Sequence, residues 1–308
     1  MTSKIIGIQG DKLDNINISS DTSIFLAFEA QNLGYKIFYY TPSNLSIIKN
    51  KILASGVFLK LNYKNKKFYK IYKKQTMDVD NLKFILIRQD PPFNSEYLIT
   101  TLILDNLKKT KVINNPTAIR NVSEKLYSKN FIKYMPNTIF TSDMDKIIKF
   151  YKNNKQMIMK PINGYGGNQI HLFKNKFNKK FISNYLKKNG HSMFQKFLKK
   201  ISKGDKRVFI INGKVCGAIS RVPKKGSYLS NMSKGAVPKL TKLTKKEIKI
   251  SKIIGKRLKK DNIYFAGIDF IDQKLNGDIN VTSPTGLKTY FDLSKINLAK
   301  TFWKGLKA

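Results

Sequence analysis

Gly267-Ile268-Asp269 and Asp278-Ile279-Asn280-Val281-Thr282-Ser283-Pro284-Thr285 are the stretch whose reading decides the fold. The first part follows Ile263-Tyr264-Phe265-Ala266 and reads as the end of a buried strand, and the second reads as the return strand. Asn276-Gly277 between two apolar runs is a hairpin signal, because both residues tolerate the positive φ that a tight turn needs. Such a hairpin brings Asp269, Asp278 and Asn280 together, and Asp278 and Asn280, two apart on one strand, share a face. Three oxygen-bearing side chains on a rigid support suit a hard cation such as Mg²⁺, which takes its other ligands from water and substrate phosphates. Taken alone, the residues fit a polar edge hairpin equally well.

Upstream, Ile158-Met159-Lys160-Pro161 is a short apolar run leading into Ile162-Asn163-Gly164-Tyr165-Gly166-Gly167-Asn168. Glycines let backbone N–H groups approach phosphate oxygens with no Cβ in the way. Lys160, at the mouth of the loop, adds a point charge for the same phosphates. The loop lacks the Gly-Lys-Ser/Thr ending of a P-loop and the spacing of a Rossmann fingerprint. By itself it fits an ordinary hairpin turn as well as a phosphate cradle.

Lys-Pro-X-X-Gly-X-Gly-Gly from Lys160, Gly204-Asp205-Lys206-Arg207-Val208, Gly267-Ile268-Asp269 and Ile279 to Thr285 together resemble the ATP-grasp ligases. Within them the chain is similar to bacterial glutathione synthetases, almost end to end. Gly10-Asp11, Asn15-Ile16-Asn17, Asp21-Thr22-Ser23, Arg88-Gln89-Asp90-Pro91-Pro92-Phe93, Asn115-Pro116 and Glu124-Lys125-Leu126 carry the rest of that likeness. The Arg-X-Asp-Pro-Pro-Phe and Asn-Val-Thr-Ser-Pro-Thr strings are specific to the synthetase group, whereas the glycine loop indicates only the superfamily.

The resemblance implies an α/β protein with the ATP-grasp fold in three parts. These are a Rossmann-like parallel-sheet lobe for substrate over residues 1–122, a lid and nucleotide-binding subdomain over 123–202, and a catalytic, metal-binding α+β subdomain over 203–308. It also implies ATP-dependent ligation of γ-L-glutamyl-L-cysteine with glycine through an acyl phosphate, giving glutathione, ADP and phosphate. ATP would meet Lys125, Lys160, Gly164, Gly166, Gly167, Gln195, Phe197, Leu198 and Asp205. Lys125 and Lys160 would hold its phosphates, and Phe197 would lie against the base or in the core. Two ions, Mg²⁺ or Mn²⁺, would sit on Asp269, Asp278 and Asn280. Arg207 and Arg221 would steady the acyl phosphate, while Arg88, Asn280 and Ser283 would contact substrate. Asp90 serves equally as a shaper of the Pro91-Pro92 turn. A homo-oligomer is expected.

The chain departs from the family pattern in three places. Asp278 stands where Glu is usual, after a turn that reads one residue longer. Lys288 and Thr289 stand where Arg and Glu usually follow Thr285. The loop after Arg221 is trimmed to Asn231-Met232-Ser233-Lys234-Gly235-Ala236. Two other readings therefore stand beside the first: an ATP-grasp ligase joining another amine to another carboxylate, and a weakly active paralogue that binds nucleotide or polyanion.

Composition narrows the classes. With 308 residues the chain can bury a large core in two or three lobes. A net charge of +40 raises a nucleic-acid role, but the lysines are dispersed along the chain and arginine, the better reader of bases and phosphates, is scarce. Nucleic acid is therefore not an expected partner. The five arginines are Arg88, Arg120, Arg207, Arg221 and Arg257, and in so lysine-rich a chain each marks a place where a planar fork is needed. One cysteine, Cys216, excludes an internal disulfide and suits the cytoplasm. No run of eighteen apolar residues predicts a membrane span, and His171 and His191 show no ligand spacing.

The coarse order of elements is strand 5–8, a helix capped by Asp21 and stopped by Gly34, then strands 36–40, 83–87 and 112–114. This βαβ rhythm predicts a mostly parallel sheet with ligands at the carboxyl ends, where Arg88 and Asp90 fall. A helix over 124–133 follows, then strands 157–159, 171–173 and 193–197. Residues 207–211 and 214–221 form a hairpin about Asn212-Gly213 that sets Arg207 and Arg221 near opposite positions. A flexible segment over 224–238 and a helix over 244–259 precede the acidic hairpin.

Overall fold

Short β-branched and aromatic runs, separated by capped helices, build three sheets. The computed structural model describes residues 4–17, 20–63 and 68–307. The first sheet contains β1 (Ile5–Gln9), β2 (Lys36–Tyr40), β3 (Leu45–Ile48), β4 (Lys51–Leu61), β5 (Tyr69–Asp78), β6 (Phe84–Ile87) and β7 (Lys111–Ile113). Its order is β3-β4-β2-β1-β6-β7, with β5 on β4. The four central and right-hand strands run parallel, as the βαβ rhythm predicts. α1 (Thr22–Asn32), α2 (Ser95–Leu104) and α3 (Pro116–Asn121) cover it. Asp21 caps α1 by accepting from the Ile24 N–H at 2.6 Å, and Gly34 at φ +85° lets the chain leave the helix. The antiparallel β3–β4–β5 extension has no counterpart in the sequence reading. β5 is exposed along most of its length, so no apolar alternation marks it.

The second sheet holds β8 (Thr138–Thr141), β9 (Met157–Pro161), β10 (His171–Phe173) and β11 (Ser192–Lys196), all antiparallel in the order β10-β9-β11-β8. α4 (Met144–Asn154) and α5 (Lys179–Asn189) cover one face, where Ile147, Phe150 and Ile182 pack on Met157, Met159 and Phe194. Side chains alternate along a strand, so Ile158, Lys160 and Gln195 point to the other face. The helix expected over 124–133 is a 3₁₀ segment, Leu126–Tyr134, kinked at Phe131.

The third sheet contains β12 (Asp205–Ile211), β13 (Lys214–Val222), β14 (Val237–Leu240), β15 (Phe265–Ile271) and β16 (Lys274–Asn280), in the order β14-β13-β12-β15-β16. α6 (Lys245–Lys260) begins at a capping box between Thr244 and Glu247. It lays Ile250, Ile254 and Leu258 against Val208, Ile210, Ala266 and Ile268, each buried aliphatic side chain contributing roughly 1.5–3 kcal/mol. α7 (Leu287–Ser294) and α8 (Leu298–Gly305) return the chain to α1. There the fully buried Trp303 donates from Nε1 to the Leu26 carbonyl at 2.8 Å. One core thus joins the first sheet to the third, through Ile6, Ile8, Phe209, Phe265 and Trp303.

Two details of register correct the sequence reading. The turn of the acidic hairpin is Asp272-Gln273, both at positive φ, and not Asn276-Gly277. Closing it there pairs Phe270 with Leu275 in the ladder, which a turn at 276–277 would forbid. Gly277 at φ +85° instead forms a bulge within β16, so Asn276, Gly277 and Asp278 stand opposite the lone Asp269. A Cβ on Gly277 would come within 2.8 Å of Met193 Cε and 2.9 Å of Met135 Cε. In the other hairpin, Asn212-Gly213 does make the turn, but a bulge at Phe209/Ile210 shifts the ladder. Arg221 therefore faces Asp205, and Arg207 faces Ile219. The segment expected to be flexible carries a 3₁₀ turn, Met232–Lys234, before β14.

Candidate active site

One face of the third sheet changes character along its length. Val208, Ile210 and Ile268 alternate onto α6, which leaves Asp205, Arg207, Phe209 and Ile211 on the opposite face of β12. At one end of that face Phe209, Ile211, Ile219 and Phe265 enter the shared core. At the other end Asp205, Arg207, Arg221 and Asp269 gather, all nearly closed to water.

These four side chains form a ladder of ion pairs. Arg207 grips Asp269 with two prongs, Nε to Oδ1 at 2.5 Å and Nη2 to Oδ2 at 2.9 Å. Arg221 grips Asp205 in the same way, at 2.8 and 2.5 Å, and its Nη2 also lies 3.0 Å from Asp269. Ser230 donates a further bond to Asp205 at 2.6 Å. Burial pushes the Asp269 carboxyl upward, and Arg207 and Arg221 overcome it, holding the group well below the carboxylate range. Asp205 moves the other way, since its burial outweighs the pull of Arg221. Gly267 is required beside this ladder: a Cβ there would lie 2.8 Å from Arg207 Cδ.

Lys160 is 2 % exposed and Lys125 4 %, and both reach Asp278. Lys160 Nζ lies 3.3 Å from one carboxylate oxygen and Lys125 Nζ 3.5 Å from the other. Lys160 also donates to the Asn276 carbonyl at 2.9 Å and to its side-chain oxygen at 3.1 Å, while Lys125 donates to the Gly164 carbonyl. Burial raises the Asp278 carboxyl, and the two ammoniums bring it below its ordinary value. The glycine loop lies beside them, with Gly166 at φ +60° and Gly167 at φ +78°. Both conformations favour glycine.

These residues line one cleft together with Gln195, Phe197 and Leu198, whose strand end forms its far wall. Gln195 is buried and donates to Thr138 at 3.0 Å. The Phe197 ring lies 6.0 Å from Lys174 Nζ. A second cavity of about 590 Å³ adjoins it, lined by Asp11, Asn17, Arg88, Asp90, Ser283 and Asn231 among others. Arg207, Arg221 and Asn280 line both. Arg88 donates from Nε to Ser23 at 2.9 Å and from Nη2 to the Pro284 carbonyl at 3.1 Å. It forms no ion pair among the described residues, and burial lowers its pKa. Asp90 lines the same cavity, and its N–H donates to Asp11 at 2.9 Å.

Asp269, Asp278 and Asn280 do converge on the first cleft. The donor set fits a hard divalent cation: two anionic oxygens and an amide oxygen, with Asn280 Nδ2 committed to the Gly267 carbonyl at 3.2 Å. No group of three or more His, Cys, Asp or Glu gathers among the described residues. A cation on this hairpin would therefore share its shell with phosphate oxygens and water, the habit of Mg²⁺. Sequence reasoning gave no role to Glu124, Asn114 or Ser230, which orient the residues above. Glu124 does stand in the Glu124-Lys125-Leu126 string, whereas Asn114, just after a strand, and Ser230, within a loop, are marked by polar type alone.

A Rossmann-like sheet, an antiparallel lid with a glycine loop and a sheet bearing acidic side chains define the ATP-grasp fold. Solved structures share it. The ATP-grasp ligase PsnB, complexed with a precursor variant, Mg and ADP, has a TM-score of 0.64 at 12% identity, covering 99% of this chain and 98% of its own. The D-cycloserine synthetase DcsG has a TM-score of 0.68 at 10% identity, covering 98% of both chains. The chain belongs to the prokaryotic glutathione synthetase family, whose N-terminal domain matches residues 5–120 and whose ATP-grasp domain matches residues 124–294. The glutathione synthetase of Mesorhizobium japonicum is 35% identical over 309 residues, covering 98% of this chain and 97% of that protein. The glutathione synthetase of Buchnera aphidicola subsp. Baizongia pistaciae is 35% identical over 287 residues, covering 91% and 88%.

Proposed function

We propose that this ATP-dependent ligase joins γ-glutamylcysteine to glycine, forming glutathione. The observation that carries the reading is the meeting of two cavities at Arg207, Arg221 and Asn280, one floored by buried lysines and a glycine loop, the other holding Arg88. The free carboxylate of the cysteine residue, anchored in the second cavity, attacks the γ-phosphorus of ATP in the first. The bond to ADP breaks and an acyl phosphate forms. Glycine's amine then attacks the acyl carbon, loses a proton and expels phosphate. Such chemistry needs positioning and charge neutralisation more than a protein nucleophile. Lys125, Lys160 and the amides of Gly164, Gly166 and Gly167 hold the phosphates. Gln195, Phe197 and Leu198 border the base, and Arg207 and Arg221 steady the charge that develops between the cavities. Asp269, Asp278 and Asn280 would hold two ions, Mg²⁺ or Mn²⁺, which supply further neutralisation when bound. Asp205 acts from behind Arg221, and Ser283 lies on the substrate side. In this scheme residues 1–122 present the substrate, 123–202 the lid and 203–308 the catalytic floor.

The departures at Lys288 and Thr289 stand back from the cavity walls, although Thr289 Oγ1 lies 4.0 Å from Sδ of Met232 in the trimmed loop. Neither lines the two cavities, and Lys288 Nζ is bonded to Asp292. The trimmed loop does line the second cavity, through Asn231 to Lys234. ADP release measured with γ-glutamylcysteine plus glycine, against other carboxylate–amine pairs, tests the reading. Stoichiometric ADP and glutathione are expected from that pair. Tight DNA or RNA binding at physiological salt, with no substrate pair supporting ATP turnover, would replace it with a polyanion-binding role.

No helix among the described residues is long and apolar enough to cross a membrane, and we assign the ligase to the cytoplasm as the compartment that supplies its ATP. We assign a homo-oligomer to the face where α2 lies beside β3, exposing Leu98, Ile99, Leu102, Ile47 and Ile48. α2 carries no lysine, which lowers the repulsion between copies of a chain at +40 along this helix. Light scattering is expected to give a multiple of 35.4 kDa that falls to the monomer in Ile99→Asp. An unchanged mass in that variant removes the assignment.

A further inference from the structure

Asn280 ends β16, and the chain from Val281 to Gly286 runs outside every strand although Val281, Thr282 and Ser283 are buried. Buried backbone groups must find partners, and here side chains from elsewhere supply them. Glu124 accepts at one oxygen from the N–H of Val281 at 3.0 Å, the N–H of Thr282 at 3.2 Å and the Thr282 hydroxyl at 2.8 Å. The Glu124 carbonyl accepts from the Ile279 N–H at 3.0 Å. Asn114 donates to the Val281 carbonyl at 2.7 Å and the Phe265 carbonyl at 2.8 Å, and accepts from the N–H groups of Tyr264 and Phe265. Val281 is thus gripped on both backbone faces, one residue after Asn280 and two before Ser283.

We infer that Asn114 and Glu124 are positioning residues forming a two-sided clamp on Val281. It fixes Asn280 and Ser283 where the nucleotide and substrate cavities meet. The inference rests on the ligation proposed above and deepens it. The clamp reaches both cavities from one stretch of backbone. Glu124 precedes Lys125, which bonds the glycine loop and Asp278, and Asn114 follows β7, the strand next to β6, from which Arg88 emerges. Arg88 in turn donates to the Pro284 carbonyl, and Ser283 donates to the Gln89 carbonyl at 3.0 Å. The acidic hairpin and the substrate lobe are therefore set by the same few bonds.

Hydrogen exchange across residues 278–287 and steady-state kinetics test this in Glu124→Ala and Glu124→Gln, the latter keeping an acceptor oxygen. In Glu124→Ala, exchange at Val281 and Thr282 is expected to speed up by at least about tenfold. Turnover should fall by at least about tenfold while KM for ATP stays within about threefold, and Gln should restore most of both. Loss of folded protein with unchanged turnover per folded molecule, or protection equal to wild type, overturns the clamp. Should Glu124→Ala not fold, Thr282→Val removes one of the three contacts. Reduced turnover there supports the clamp, and wild-type turnover with wild-type exchange overturns it. A wild-type enzyme that makes no ADP would end the ligation reading, while the exchange measurements would still decide whether the clamp exists.

Discussion

Lys160→Met is expected to abolish ATP-driven turnover in a protein that still folds. Lys160 is buried on the lid face that looks onto the acidic hairpin, and among the described residues its ammonium bonds to Asn276 and Asp278. Met keeps the length and the apolar stem, so the packing of that stem survives, while the charge that would meet the phosphates is lost. A charge-assisted bond is worth about 1.5–3 kcal/mol, which corresponds to roughly 10–150-fold in affinity. Calorimetric titration with ATP and an ADP-release assay check it. Wild-type affinity together with wild-type turnover in this variant would falsify the role of the lysine and its glycine loop.

Asp278→Asn is expected to fold, to need more Mg²⁺ and to turn over at least about tenfold more slowly, because a neutral amide oxygen offsets less positive charge than a carboxylate. The substitution also leaves Lys125 and Lys160, both buried, facing a neutral group. That desolvated charge costs on the order of 1–3 kcal/mol of stability. Asp278→Glu should retain activity, since the charge stays. Mg²⁺-dependent ADP formation and thermal unfolding of both variants separate the outcomes. If Asn at this position gives wild-type kinetics at every Mg²⁺ concentration, Asp278 is a turn-side residue and the three-oxygen site loses its support.

The parts of this protein legible in its sequence are those governed by local chemistry. The Asp21 cap, the Gly34 stop, the Asn212-Gly213 turn and the helix start at Thr244 are each decided within a few residues, and each is found as read. The acidic hairpin shows where local reasoning stops. Asn-Gly is a strong turn pair, yet Asp272-Gln273 closes the hairpin because it alone lets Phe270 and Leu275 pair, a gain that only the assembled sheet reveals. The extra residue that reads as a longer turn is taken up by the Gly277 bulge. The same limit hides the Arg221–Asp205 pairing, since a bulge at Phe209/Ile210 has no mark in the sequence. Arginine scarcity was informative at three positions: Arg88, Arg207 and Arg221 all reach the cavities. Arg120 and Arg257 instead pair with Asp105 and Asp261 near the surface. Glu124 stands in the Glu124-Lys125-Leu126 string, but its role and that of Asn114 cannot be read locally, because their partners lie more than a hundred residues away.

While Met193 and Phe140 join the core of the third sheet, the lid sheet keeps the apolar residues of one face to itself. Its core runs from Ile147 through Met157 and Ile182 to Phe194 and includes no residue of the other two sheets, whereas those two share one core through α1, α7 and α8. Where the lid sheet meets the third, Met193 lies against Gly277, and polar bonds run from Lys160 to Asn276 and Asp278 and from the Tyr228 hydroxyl to the Ile170 carbonyl. Water can replace polar partners but not buried hydrocarbon, so a rigid displacement of this sheet would cost chiefly the burial of Met193 and Phe140.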